Sequence, residues 1–287
     1  MSKQDEARTL AGKTFKSGTR TKGLPYASVN DLAFQGEGEP AVEQGVDLTG
    51  QPKIVFAAGR GKTGKTTLLR WISEISLRRG ASVILADVDP SNASYSLYFN
   101  EVARPGTDNP TGVVRWLQNL IEHCVNDKQS AIIDLGGGDT TLRTLATELP
   151  GLAQEMEQAG LSPVMLYLLG TQADDLAPAL TLTARGFVPK AQSLVLNEFA
   201  VDAGQSRDEA FEWLLSAPGL AQLLDRSVRV WMPRLFAAEA IEARRCSFLN
   251  ARDGKVSPPL GMFDAARLRA WLDAMDRRFA GISSWIP

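Results

Sequence analysis

A chain of 287 residues with 44% hydrophobic and 22% charged residues can bury a substantial core, which excludes a disordered or fibrous polymer. The net charge of −2 conceals two basic ends: residues 1–30 carry six Lys/Arg against two Asp/Glu and residues 225–287 carry eleven against seven, so the middle of the chain is acidic. Only Cys124, Cys246 and His123 are available as soft ligands, too few and too scattered for a disulfide framework or a His/Cys metal cluster, and no apolar run approaches the ~20 residues of a membrane span.

In chain order, residues 1–50 show little apolar periodicity and are rich in Gly, Ser, Thr and Lys. Such a stretch cannot bury enough surface to offset ordering entropy, so it reads as a mostly disordered basic and polar tail. Residues 51–287 read as one domain. From residue 53 short apolar runs alternate with amphipathic helices, the pattern of an α/β fold with a mostly parallel sheet covered by helices on both faces. Ile54–Ala58 is the first strand, and the helix carrying Leu68, Leu69, Ile72 and Ile75 stops at Gly80.

Between that strand and helix lies Gly59-Arg60-Gly61-Lys62-Thr63-Gly64-Lys65-Thr66-Thr67. It fits Gly-x-x-x-x-Gly-Lys-Ser/Thr in the strand-to-helix context that a phosphate-binding loop requires. Glycines let successive N–H groups turn toward phosphate oxygens, and the helix start adds its positive dipole end. Lys65 would reach the β- and γ-phosphates and the Thr66 hydroxyl would ligate Mg²⁺. An incidental glycine-rich turn is the competing reading, and the register of strand, loop and helix argues against it.

Val83–Ala86 is the second strand and delivers Asp87-Val88-Asp89-Pro90 at its carboxyl end, where open α/β sheets gather ligand chemistry. Asp89 is a candidate for orienting a water nucleophile and Asp87 for holding metal; turn and capping chemistry before Pro90 is the alternative for both. A helix over Thr111–Val125 precedes Ala131–Leu135, a buried strand that runs into Asp134. Asp134 is a candidate Mg²⁺ carboxylate, acting through water, and Gly136-Gly137-Gly138-Asp139 then forms a candidate switch loop. Strands at Val164–Leu169, Ser193–Asn197 and Val228–Met232 follow, the last leading into Pro233-Arg234. The final helix, Asp264–Phe279, sets Leu268, Trp271, Leu272, Met275 and Phe279 on one stripe and reads as core.

The loop resembles the deviant Walker A of the ParA/MinD partition and positioning ATPases, which reads Lys-Gly-Gly-x-Gly-Lys-Ser/Thr. Arg60 stands at the family's signature lysine and Lys62 at its second glycine. The element at Asp89, the strand ending at Asp134 and the Pro233-Arg234 segment resemble the family in order and spacing. The resemblance covers about residues 53–245. It implies ATP and Mg²⁺ as cofactors, a homodimer with ATP at the interface, and slow hydrolysis stimulated by a cargo or partner protein. It gives Lys65, Asp89 and Arg60 catalytic roles, and sets Asn197, Pro233 and Arg234 near the base. The implied work is DNA partition, cargo positioning or conjugative transfer in the cytoplasm, without membrane binding. The basic ends, with Lys13, Lys16, Arg20 and Lys22 in the first, fit non-specific DNA binding and equally fit solvated surface charge. A small-metabolite kinase or ligase, and a nucleotide-sensing adaptor without turnover, remain the alternatives.

Overall fold

β1 (Lys53–Ala58) is buried along its whole length and occupies the middle of a six-stranded parallel sheet. The computed structural model describes residues 38–89, 95–136, 140–217 and 220–287. In chain order α1 (Lys65–Arg78), β2 (Val83–Asp87), α2 (Pro110–Asn126), β3 (Ser130–Asp134), α3 (Thr140–Glu148), α4 (Leu152–Gln158) and β4 (Ser162–Leu169) form the first half. The second half holds α5 (Ala177–Ala184), β5 (Ala191–Asn197), α6 (Arg207–Leu215), α7 (Ala221–Leu224), β6 (Val228–Met232), α8 (Ala238–Arg244), α9 (Phe248–Arg252) and α10 (Met262–Arg278). The strand order is β2-β3-β1-β4-β5-β6, and every pairing is parallel.

β1, β4 and β5 read as unbroken apolar runs because both faces of the sheet are covered. On one face α2–α6 pack through residues such as Leu117, Leu142, Met156 and Phe211. On the other, α1 and α8–α10 contribute Leu68, Trp71, Ile241, Phe248 and Trp271. Local signals start the helices where they begin: Asn109 Oδ1 accepts from the Thr111 and Gly112 N–H groups ahead of α2, with Pro110 at its first position. The expected core stripe of α10 is fully buried. Among the described residues no helix is long and apolar enough to cross a membrane.

The expected tail boundary at residue 50 needs correction. Residues 39–48 belong to the folded unit and run against the C-terminal turn. The Gly45 N–H donates to the Gly281 carbonyl at 2.9 Å, Trp285 Nε1 donates to the Val46 carbonyl at 2.7 Å, and Leu48 is buried. Glu43 pairs with Arg229 and also accepts from that residue's backbone N–H, at the open edge of β6. Glu39 pairs with Arg277 and Arg278. This segment is ordered by partners more than 180 residues away, which local periodicity cannot register. Residues 1–37, Pro90 and Gly137-Gly138-Asp139 lie outside the described residues, and with them most of the expected tail and switch loop.

Candidate functional site

β1 lies between β3 and β4, so its carboxyl end opens at the point where the strand order reverses direction, and the loop after it sits in that crevice. Gly64 precedes α1 with φ +97°, and a Cβ there would meet Asn197 Nδ2 at 2.7 Å. Only glycine satisfies both demands. Lys62 adopts φ +67° although it carries a side chain. The loop therefore keeps the left-handed turn that a glycine would supply, at a steric cost of about 1 kcal/mol.

Lys65 is buried, and its ammonium donates to the Gly59 and Arg60 carbonyls at 2.8 and 2.9 Å, which holds the charge at the loop mouth. Thr66 Oγ1 donates to Asp134 Oδ2 at 3.0 Å, while the Gly136 N–H donates to Asp134 Oδ1 at 3.0 Å. Burial pushes the Asp134 carboxyl above its usual range, against the hydrogen bonds and the Lys65 charge that oppose the shift. A hydroxyl and a carboxylate this close are the hard oxygen donors that Mg²⁺ takes, and few protein ligands are needed because the ion keeps several waters. Thr66 and Asp134 thus fit the ion. Asp87 is the cross-strand neighbour of Asp134, but its carboxylate is engaged elsewhere. Its Oδ2 accepts from the Ser96 N–H and hydroxyl at 3.1 and 3.0 Å, its Oδ1 accepts from the Asp89 N–H at 3.2 Å, and it is absent from the cleft lining. That geometry is the turn-and-capping alternative.

Asp89 does line the cleft and lies against Gly136, where an added Cβ would come within 2.6 Å of the Asp89 carboxylate. The cleft measures about 570 Å³ and also exposes Gly61, Lys62, Lys65, Thr66, Thr67 and Asn197. Asn197 Nδ2 donates to the Thr63 carbonyl at 2.8 Å and its Oδ1 accepts from the Phe199 N–H at 3.0 Å, so the strand end braces the loop from across β4. Pro233 borders the same cleft. Arg234 stands behind it, donating to the Phe199 and Val201 carbonyls at 2.8 and 3.3 Å and so tying the exit of β6 to the exit of β5. Arg60 turns away: its guanidinium is about half exposed, 3.7 Å from Asp175 and 3.9 Å from Asp174.

Several cleft residues carry no motif in the sequence, Phe199, Arg70, Tyr98 and Glu242 among them. Phe199 lines the cleft near Asn197 and is 59% exposed, unusual for phenylalanine. Arg70 of α1 is buried between the Tyr98 and Phe248 rings, its Cζ 3.4 and 4.3 Å from their centroids, and pairs with Glu242 of α8 at 2.6 Å. The Tyr98 hydroxyl donates to the other Glu242 oxygen, and burial with that bond pushes the phenol up to about 12. An arginine set between Leu69 and Trp71 was the one available signal. Its carboxylate partner lies on a helix 172 residues away.

A central β1 with a phosphate-type loop at the switch point, followed by a helix and a strand ending in a buried aspartate, defines a P-loop NTPase fold with a nucleotide-type cleft. No family model and no curated protein matches the chain. Among solved structures, it is similar to the cell division protein FtsY from Thermotoga maritima at 15% identity and a TM-score of 0.45, covering 67% of this chain and 65% of that one. It is also similar to chloroplast FtsY from Physcomitrella patens at 15% identity and a TM-score of 0.41, covering 82% of this chain and 67% of that one. The chain thus spans a little under two thirds of the length of the Thermotoga protein.

Proposed function

We propose that this chain is a Mg·ATP-binding ATPase of the ParA/MinD type, which dimerises with nucleotide between the subunits and uses slow hydrolysis to reset a DNA-partition, cargo-positioning or conjugative-transfer cycle. The observation that carries the proposal is the pairing of Lys62 with Arg60. Lys62 holds the left-handed turn of the deviant loop, and Arg60, at the signature position, points out of its own cleft on a weak, half-exposed ion pair. A cation held that loosely is free to reach the phosphates of a facing subunit.

In this reading Lys65 and the loop N–H groups bind the phosphates, while Thr66 and Asp134 hold Mg²⁺, which when bound neutralises phosphate charge. Asp89, beside Gly136, orients the attacking water, and Arg60 of the opposite subunit stabilises the transition state, a contribution of ~10³–10⁵ in rate for such a group. ATP rather than GTP follows from the family resemblance, which sets Asn197 near the adenine; in the free chain that amide is engaged by the Thr63 carbonyl and the Phe199 N–H, so the argument against guanine rests on its neighbour. Guanine presents adjacent donors that call for a free carboxylate. Glu198, the acid that follows Asn197, is taken up by Arg278 at 2.6 Å and Arg207 at 3.6 Å.

DNA as a partner rests on the basic ends. Among the described residues, six of the eleven cations in 225–287 already face carboxylates: Arg229, Arg252, Lys255, Arg267, Arg277 and Arg278. The C-terminal share of DNA binding is therefore modest. A mixing experiment tests the mechanism. Asp89→Ala and Arg60→Ala should each be inactive alone, and their mixture should regain turnover because one site per mixed dimer is complete. Formation of the mixed dimer without activity would refute the trans contact.

A further inference from the structure

On the sheet face opposite α1, α2 is separated from the end of α3 and from α4 by a trough of about 750 Å³. Its floor is apolar: Ile121 and Val125 from one wall, Leu145, Leu149, Leu152 and Met156 from the other. Leu149 is 44% exposed, a large side chain left without cover. The charged residues of the lining are Glu122, Glu148 and Glu155, with no Lys or Arg among them. Among the described residues none of these three glutamates has an ion-pair partner, although elsewhere on the molecule carboxylates are commonly paired.

We infer that this trough is the docking site of a basic amphipathic helix supplied by a partner protein. The apolar floor would take side chains spaced i, i+3, i+4 and i+7, the mode by which a helix lies in a groove. The walls suit that length. Gln118–Asn126 and Leu152–Ala159 each run for about 12 Å at 1.5 Å per residue, roughly two helical turns. The three unpaired carboxylates then meet Lys or Arg on the flanks of the incoming helix, giving register and orientation rather than bulk affinity. Charge decides against three other kinds of occupant. Nucleic acid and anionic lipid would be repelled, and a second copy docking through the same trough would set glutamate against glutamate.

The position has a consequence for the cleft. α3 is the first helix after β3, the strand that presents Asp134, so a helix wedged between α2 and α3–α4 bears on the element leading away from the metal carboxylate. That consequence rests on the ATPase reading; the docking does not.

The test uses the full chain and a synthetic peptide of about 18 residues in a Leu/Lys pattern for an amphipathic helix, with a Leu/Glu peptide of the same pattern as control, followed by anisotropy or calorimetry. The Lys peptide should bind and the Glu peptide should not. Leu149→Asp, and separately the triple change Glu122→Lys, Glu148→Lys and Glu155→Lys, should each weaken the Lys peptide by about tenfold or more. The triple variant should instead gain affinity for the Glu peptide, a reversal that misfolding cannot produce. In the unaltered chain, hydrogen exchange should slow over residues 118–126 and 145–159 when the Lys peptide is present. No binding, or binding that neither variant disturbs, would overturn the proposal. So would a dimer of the chain alone that Leu149→Asp dissolves, because the trough would then belong to a second copy.

Discussion

Lys65 holds two loop carbonyls in the free chain, and phosphate oxygens would replace them on binding. With ligand at ~100 times its dissociation constant, nucleotide should stabilise the fold by about 2.7 kcal/mol, and Lys65→Ala should remove most of that thermal shift. An undiminished shift in the variant would move the nucleotide elsewhere. Lys62 makes the opposite kind of prediction. Relieving its φ of +67° with Lys62→Gly should leave stability unchanged or raise it by up to about 0.5 kcal/mol net, after the entropy that glycine adds to the unfolded chain. Chemical denaturation would read this directly. At Asp134 burial raises the folded-state pKa above its ordinary 3.8, so the folded chain holds that proton more tightly than the unfolded one. Stability is then lost as pH rises through the raised value. Asp134→Asn should raise the Tm of the free protein at neutral pH, shrink its rise on mild acidification, and abolish any Mg²⁺-dependent part of nucleotide stabilisation. Gain and loss in one variant would separate a functional carboxylate from a merely structural one.

The element that joins the cleft to the rest of the molecule is α1. Its first turn carries Lys65 and Thr66, its middle carries Arg70 on the cleft wall, and one turn further Glu74 caps α9. The Glu74 carboxylate accepts from the Phe248 and Leu249 N–H groups, both at 2.9 Å, and from the Ser247 hydroxyl at 2.8 Å. Burial nevertheless lifts its pKa, the hydrogen bonds opposing only part of the desolvation. Removing the acceptor leaves two buried helical N–H groups unpaired. Glu74→Ala should therefore cost about 2–4 kcal/mol. In nucleotide titrations of the same variant, a weakened affinity would show that the α1–α9 joint also sets the loop.

At the scale of the whole molecule, the segment 39–48 straps the C-terminal turn and the edge of β6. A chain starting at residue 38 keeps the Gly45, Val46, Leu48 and Glu43 contacts, and one starting at residue 50 loses them. The shorter chain should melt lower than the longer by roughly 5–10 °C, the worth of one buried leucine and a few hydrogen bonds in a domain of this size. Equal melting points would reduce the strap to a surface ornament. Gly281→Ala should act in the same direction, because a Cβ there would sit 1.9 Å from the Glu43 carbonyl. DNA binding is also a property of the whole charge distribution. If it occurs, affinity should fall with a log–log salt slope of about −0.9 per phosphate neutralised, and removing residues 1–30 should flatten that slope by more than neutralising the exposed C-terminal arginines.

The amino-acid sequence by itself determined the parallel α/β architecture, the strand positions, the core stripe of α10 and the loop with Lys65 and Thr66. Each of these is written in short-range order: an apolar run, a 3.6-residue period, or glycines and a lysine at fixed spacing. Tertiary structure decided what depends on neighbours distant in sequence. It divided two aspartates two residues apart, because Ser96 occupies Asp87 while the cleft and Gly136 receive Asp89. It drew Arg70, Tyr98 and Glu242 into the cleft wall and Asn197 onto the loop. It also turned part of an apparent tail into a strap, through ion pairs and carbonyl contacts to β6, α10 and the C-terminal turn. A polar side chain's local surroundings do not say whether its partner will be water, a helix end or a charge from the far end of the chain; that is fixed only when the sheet brings those elements together.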